Sequence, residues 1–452
     1  MFPFEPPMGK AVPQHMRTDN LSALSRRAFL RSAVTKSCIL GCSWLVPQTV
    51  LPQTTKPAPS NRTNLLFIGT GRRGIELLRL FIDQPDCHVV AVCDVDQDHA
   101  ETARDFVNSR YGTRDCRVYY DFREPLARSD LDAAVIALPL HWHSIPAVMA
   151  AKAGLDVYAE PPLAHTIKEG RTVCKTIQRY ARVWQTDVWR RADIRVLQAA
   201  EIVQSGAIGA IQSLEIGIPH GHVDCAGTAG QETPAKPPPG LDYDMWLGPA
   251  PWAPYAPARV HGNWRWHLDY GGGQLMEWIG HYMEIVQFTM GLDTTGPIEV
   301  EGSGEYPAGG LWNAPTAFRI RALYSTGLTI AILGTQNTRQ GILWKGEKGF
   351  LQMNPDGAIE YSPKLSPALP KPKTLVAAPV VHVREFLDCI KSRRMTSTSV
   401  ESAQRAATVG HLGQIAIRLG RKIRWNPATE EIIGDETAGR LLGKSMREPW
   451  YL

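Results

Sequence analysis

Cysteine, excess charge and long apolar runs are all scarce in this chain, and each shortage removes a class of protein. The 452 residues include eight cysteines, at 38, 42, 87, 93, 116, 174, 225 and 389, with no C-x-x-C pair among them. That spacing supports neither a zinc cluster nor a disulfide framework, and buried thiols are the default reading. His220, His222 and Asp224 alternate as metal ligands on a strand could. No fourth ligand is evident there, Gly221 argues for a loop, and no metal is expected. The formal charge of +5 is small for this length, and part of it sits in an N-terminal leader. No long basic run follows, so nucleic acid is not an expected partner. The apolar stretch Cys38 to Val46 is too short to span a bilayer, and no membrane span is expected.

Glycine, proline and apolar residues are plentiful: 39 Gly, 34 Pro and 44% hydrophobic content imply many loops around a core too large for one ordinary domain. The text divides into a leader and linker at 1–61, a first domain at 62–182, a second at 183–425 and a tail at 426–452, expected to drape across the surface. Within the leader, Ser25-Arg26-Arg27-Ala28-Phe29-Leu30-Arg31 matches the twin-arginine export pattern, and a Pro/Thr/Gln-rich linker, Pro47 to Asn61, follows the apolar stretch. The chain is therefore expected to be exported, to a periplasmic or other extracytoplasmic space. A basic amphipathic helix is the bland alternative. Ile39-Leu40-Gly41-Cys42 is a loose lipoprotein-type sequence, under which Cys42 would carry a lipid.

The strongest motif lies just past the linker. Leu65 to Ile68 is an apolar run of strand type; Gly69-Thr70-Gly71-Arg72-Arg73-Gly74 follows, and a helix-like pattern runs on from Ile75 to Ile82. In such a strand-turn-helix, Gly69 permits the tight turn, Gly71 lets the backbone approach a pyrophosphate, and Gly74 lets helix and strand pack closely. Asp94 ends the next apolar run, where an acid would hydrogen-bond an adenosine ribose. A carboxylate there repels a 2'-phosphate and favours NAD, while Arg72 and Arg73 leave NADP open. A tight turn with a chance acid is the bland alternative.

Strand and helix patterns then alternate. The run Ala133 to Leu138 is unrelieved by polar residues, as a buried parallel strand requires. The loops beginning at Gly69, Asp94, Pro139 and Glu160 all fall at the carboxyl edge of the implied sheet, where ligands bind. Past Val183 the runs alternate, as in antiparallel strands. The expected fold is α/β: an N-terminal Rossmann doubly wound parallel sheet, plus a C-terminal α/β domain with a large open, mostly antiparallel sheet.

Taken in order, the Gly69 loop, Asp94, the Pro139 loop with His143, Glu160-Pro161-Pro162, Asn263-Trp264-Arg265-Trp266, Gly271-Gly272-Gly273 and Glu277 with His281 carry a family resemblance across nearly all of 62–452. The chain resembles the glucose-fructose oxidoreductase, inositol dehydrogenase and rhizopine-catabolism (Gfo/Idh/MocA) family, in its twin-arginine-exported branch. The resemblance implies hydride transfer between a nicotinamide and a sugar or cyclitol carbon, in a homo-oligomer. It implies proton handling by the lysine of a Glu-Lys-Pro tripeptide, helped by an Asp-x-x-x-His pair. Here the lysine position is Pro161 and the Asp position is Glu277, while His281 is retained.

Glu277 and His281 stand at i and i+4, on one helix face, where the carboxylate would orient the imidazole and raise its basicity. This makes them the candidate catalytic pair. Gly69, Gly71, Arg72, Arg73, Gly74, Asp94, Pro139, His143 and Glu160 are the candidate cofactor contacts; for His143, backbone satisfaction is the alternative. Arg190, Trp264, Trp266 and Tyr270 are candidate substrate contacts, since sugar rings stack on aromatic faces while polar neighbours take hydroxyls. A Trp-rich core explains the aromatics as well. The missing lysine keeps three outcomes open: a dehydrogenase using His281, redox-neutral NAD-dependent glycoside cleavage, or a non-catalytic binding protein.

Overall fold

Leu65 to Ile68 and Ala133 to Ile136 are hydrophobic on both faces and have to be covered by helices on both sides, and in the computed structural model they are. The structure describes residues 58–362 and 377–452; the twin-arginine pattern lies outside these. Strands β1 (Thr63–Ile68), β2 (Cys87–Cys93), β3 (Arg117–Tyr119), β4 (Ala133–Ile136), β5 (Asp156–Ala159) and β6 (Trp184–Thr186) form one parallel sheet in the order β3-β2-β1-β4-β5-β6. The order reverses between β1 and β4, the switch point at which a crevice opens. Helices α1 (Arg72–Ile82), α2 (Gln97–Tyr111), α3 (Ser144–Lys152) and α4 (Ile167–Arg179) make the crossovers. On α1, Leu77, Leu78, Phe81 and Ile82 are buried at helical spacing, and Phe81 meets Phe67 and Tyr158 edge-on at 5.8 and 5.1 Å.

Two glycines make this start possible. Gly69 has φ +88°, and a Cβ there would lie 2.3 Å from the Ala137 carbonyl oxygen; a Cβ on Gly74 would lie 2.1 Å from that of Gly69. Any side chain at either would push α1 off the sheet.

The sixth strand lies beyond the boundary expected at 182. Trp184–Thr186 pairs with β5 in parallel, so the first domain runs a strand further. Three residues are too few to show a periodicity.

The second sheet has nine strands: β7 (Ile211–Gly217), β8 (Glu299–Glu305), β9 (Ala317–Leu323), β10 (Thr329–Gly334), β11 (Gly341–Gly346), β12 (Gly349–Met353), β13 (Ile359–Tyr361), β14 (Ile423–Asn426) and β15 (Glu431–Ile432). Every pairing is antiparallel except β7 with β10. Along β9, Phe318, Ile320 and Ala322 are buried while Arg319 and Arg321 are exposed, the two-residue alternation of a sheet covered on one side. The covering helices are α5 (Ile194–Gln204), α7 (Gly273–Met290) and α9 (Val400–Leu419), with Met276, Ile279 and Leu412 in the same core as Ile320 and Trp344. A short α6 (Tyr243–Leu247) lies between α5 and α7. α8 (Ala378–Ser392) returns to the first domain, where Phe386 joins Phe81 and Tyr158.

The segment 426–452 does more than drape. It supplies β15 and α10 (Glu436–Arg440), and its end turns inward at Trp450, whose ring lies 4.7 Å from Trp142 and 6.3 Å from Phe122. An indole finding two aromatic partners gains more than one left in water. Among the described residues no helix is long and apolar enough to cross a membrane, and the six cysteines are unpaired.

Buried histidines set an acid limit on this fold. His411 and His141 are fully enclosed, and burial pushes them down to about 4 and about 3 from 6.5. A depressed folded pKa gives stability that is complete above the unfolded value and lost as pH falls through the folded one. For His411 alone the full difference is about 3 kcal/mol. The thermal midpoint is therefore expected to drop by several degrees between pH 7 and pH 5; a flat or rising midpoint would contradict the buried neutral state.

Candidate functional site

The carboxyl ends of β1, β4 and β5 face the N-terminal turns of α7 across a cleft of about 450 Å³. Its first wall is the glycine loop. Gly71 is the N-cap of α1 and offers no capping side chain, so the helix's first amides remain available to an anion. A Cβ on Gly71 would meet nothing nearer than His99 at 3.8 Å, which leaves that backbone approachable. Gly69, Gly71, Arg72 and Arg73 line the cleft; Gly74 stays behind the wall, holding helix to strand. Asp94 also lines it, but its carboxylate is partly spent: Oδ2 accepts from the Thr70 amide at 2.7 Å and Oδ1 from the Asp96 amide at 3.0 Å. It clamps the two loops while facing the cleft. Pro139 lines the opposite side. A bare glycine, an uncapped helix end and an acid at the end of β2 fit a dinucleotide.

Deeper in, the tripeptide meets a charge network. Arg73 donates through Nε to Glu160 Oε1 at 2.8 Å and through Nη2 to Asp187, and Tyr158 donates to the other Asp187 oxygen at 2.6 Å. Glu160 was expected on the cofactor; it lines the cleft, yet its carboxyl is held by Arg73. Burial and then the Asp187 charge raise Glu160 well above the usual carboxyl range, so it keeps its proton. Burial opposes ionisation of Asp187 as well, but the hydrogen bond shared with Glu160 and the Arg73 charge bring it down to about 2. Asp187 was not singled out from the sequence. No sequence signal marked it, since the strand it follows, β6, is too short to be read as one.

Pro161 lines the cleft on its α7 side. A Cβ on Gly280 of α7 would lie 2.8 Å from Pro161 Cβ, so the ring is seated against that helix. One residue on, His281 lines the cleft with no hydrogen bond to its ring among the described residues. Burial lowers its pKa, against the pull of Asp187 and Glu277, and leaves a neutral imidazole. The direct carboxylate-to-imidazole bond expected from the i, i+4 spacing is not formed. Glu277 instead accepts from Arg265 Nε at 2.8 Å, because a guanidinium offers it a full opposite charge. Arg265 in turn lies 4.5 Å over the Trp264 ring.

Several candidates fall elsewhere. His143 lines the cleft, but its ring sits between the Pro162 and Leu138 carbonyls, 2.8 Å from each, with no nitrogen free for a ligand. Trp264 faces the cleft; Trp266 and Tyr270 do not. Trp266 is core, its indole donating to the Val223 carbonyl at 2.6 Å, and Tyr270 is fully buried, accepting from Arg259 at 3.2 Å. Arg190 donates to the Pro355 carbonyl at 2.6 Å, away from the cleft lining. Around His220 the chain is a loop: His222 bonds the Ala314 carbonyl, and Asp224 takes loop amides and Asn263.

Residues 63–187 match a profile described as "Oxidoreductase family, NAD-binding Rossmann fold", and 192–452 match its "C-terminal alpha/beta domain", under the name GFO_IDH_MocA. A "Glycosyl hydrolase family 109 protein" of Stenotrophomonas maltophilia is 28% identical over 206 residues, 44% of this chain and 43% of that one. A "2,7-anhydro-N-acetylneuraminate hydratase" of Mediterraneibacter gnavus is 26% identical over 145 residues, 32% of this chain and 36% of that one. The chain thus spans less than half the length of these curated relatives. Among solved structures, aldose-aldose oxidoreductase from Caulobacter crescentus, complexed with glycerol, superposes with TM-score 0.62 at 16% identity, over 80% of this chain and 99% of that one. The WlbA dehydrogenase from Bordetella pertussis, with NADH and UDP-GlcNAcA, does so with TM-score 0.61 at 16% identity, over 81% and 99%. At such identities these two likenesses establish the fold.

Proposed function

Because this chain belongs to the Gfo/Idh/MocA oxidoreductase family and carries its NAD-binding Rossmann domain, we propose that it is an exported enzyme acting on a sugar, cyclitol or glycoside by hydride exchange with NAD. One observation carries the reading: a neutral imidazole, His281, lines the cleft with no hydrogen bond to its ring among the described residues, next to the Gly280 against which Pro161 is seated. Bound NAD supplies a hydride acceptor. An alcohol that gives up hydride must also give up its hydroxyl proton, and His281 is the group with a lone pair to take it. Gly71 and the first turn of α1 hold the phosphates, Asp94 meets the ribose, and Trp264 with Arg265 offers an aromatic face beside hydrogen-bond donors for the sugar.

A second reading is favoured by the protonated Glu160 and by the glycosidase and hydratase relatives. In it NAD would take a hydride and return it in the same turnover; His281 would pass the hydroxyl proton to solvent and then take one from the carbon acidified beside the new carbonyl, while Glu160 would give one to the leaving oxygen as its C–O bond breaks. The test is a mass and absorbance measurement on protein purified without added cofactor, then a glycoside screen that follows 340 nm absorbance and products together. Rising 340 nm absorbance supports the dehydrogenase, and product at steady absorbance supports the redox-neutral route. A protein that carries neither dinucleotide and binds neither on titration would overturn both and leave a scaffold.

Export and homo-oligomeric assembly belong to the same proposal. Changing Arg26→Lys together with Arg27→Lys is expected to retain a leader-reporter fusion in the cytoplasm, because that pattern is read through its paired guanidiniums. Undiminished export would remove the twin-arginine reading. Sedimentation at the monomer mass would remove the oligomer.

A further inference from the structure

Beyond the hydride chemistry, a second cluster of ligating groups stands at the rim of the cleft, assembled from residues far apart in sequence. Asp96 and His99 follow β2 and open α2; His261 comes from the loop that precedes α7. One ligand atom from each lies within 4.8 Å of the other two. We propose that Asp96, His99 and His261 form a site for one divalent transition-metal cation of the zinc class, tying the two domains together across the mouth of the cleft.

The carboxylate is already aimed. Asp96 Oδ1 accepts from the amides of Asp98 and His99 as the N-cap of α2, which fixes the group and leaves Oδ2 turned toward His261, 3.6 Å from its Nε2. Such an outer bond on a ligating carboxylate is the usual means of orienting it. The His99 and His261 rings pair edge-on, with centroids 5.2 Å apart at 63°. A second acid, Asp94, brings Oδ2 to 3.9 Å from His99 Nδ1 and adds negative charge to the same spot.

The backbone around the cluster is fixed from both sides. Asp96 bridges to Leu241, the Gln97 amide donates to the Gly240 carbonyl at 3.0 Å, and the Asp242 amide donates to that of Val95 at 3.0 Å. His261 itself has φ +49°, a left-handed conformation that costs a non-glycine residue roughly 1 kcal/mol or more. Strain of that kind persists where surrounding structure imposes it, and here it presents the imidazole to Asp96.

The donor set selects the ion. Two imidazoles and one carboxylate suit zinc, cobalt or nickel, whereas magnesium and calcium require more oxygens. Three protein ligands leave a fourth position for water.

The experiment uses the full exported chain, stripped with EDTA, reloaded with zinc and desalted. About one zinc per chain is expected by elemental analysis, and near zero in His99→Ala and in His261→Ala, with His220→Ala retaining it. Cobalt loaded in place of zinc is expected to give the visible d–d band of a low-coordinate nitrogen-oxygen site, lost in the same two variants. No zinc retained by the parent, or retention unchanged in both variants, would overturn the site. NAD titration of the same samples separates this from the cofactor reading: NAD bound by a chain that takes no zinc overturns the metal site alone, and zinc taken by a chain that binds no NAD overturns the cofactor reading alone.

Discussion

Replacing His281 by alanine is expected to lower turnover about 100-fold or more on whichever sugar or glycoside the screen yields, with NAD affinity nearly unchanged, because a positioned acid-base group contributes about that much. The expectation follows from elimination among the cleft groups that belong to, or bond, the Glu160 tripeptide and α7. Arg73 and Arg265 keep their protons at any working pH. His143 has its ring against two carbonyls, Glu277 is committed to Arg265, and Glu160 is held in its protonated form. Pro161 has nothing to titrate. His281 remains, neutral and unbonded, lining the cleft one helical turn from Glu277. Gly71 and Asp94, the proposed NAD contacts, belong to the first wall and are untouched by the change. Steady-state kinetics with a separate fluorescence titration of NAD would read the two effects apart. Turnover equal to the parent's would remove His281 from the chemistry.

The fold was legible to the extent that periodicity repeats. Leu65 to Ile68 and Ala133 to Ile136 are continuous apolar runs, and a strand buried on both faces has no other way to look. Gly69 and Gly74 announced the turn because no other residue fits it. What escaped was short or depended on distant partners. Trp184–Thr186 is too brief to carry a pattern, and Trp450 looks like any terminal aromatic until Trp142 and Phe122 are beside it.

The candidate site divides the same way. Motif positions such as Gly71 and Asp94 reach the cleft because the strand that precedes each one aims it there. Trp264 and Trp266 differ in fate although they are two residues apart: one lines the cleft and the other fills the core. Aromatic content cannot separate these outcomes, since a ring serves burial and stacking alike. Helical spacing placed Glu277 near His281 correctly but could not foresee Arg265, twelve residues upstream on another segment, as a stronger partner. Asp96 and His99 at the start of α2 and His261 in the segment before α7 come within ligand distance only through the tertiary fold.

Arg73 should prove the most destabilising of the cleft residues to lose. Its guanidinium is the shared partner of Glu160 and Asp187, whose side chains are 15% and 2% exposed. Removing one partner from a buried ion pair costs about 3–5 kcal/mol, because the other charge is left uncompensated. Arg73 is about one-third exposed, so water will replace part of what it supplied, and about 3 kcal/mol is expected for Arg73→Ala. Most of that is owed to Asp187, which stays ionised, and less to Glu160, which does not. Adding Asp187→Asn should therefore recover more than 1 kcal/mol, whereas adding Glu160→Gln should recover little. The pH response has a definite sign. The folded pKa of Glu160 is raised, so its neutral state favours folding at low pH, and that stability is lost as pH rises through the folded value. Arg73 restrains that rise, so Arg73→Ala should carry the loss to higher pH. Urea denaturation of the parent, both single changes and the doubles, repeated across neutral and alkaline pH, would measure it. Equal recovery by Asn at 187 and Gln at 160 would show that the two carboxyls share their charge rather than dividing it.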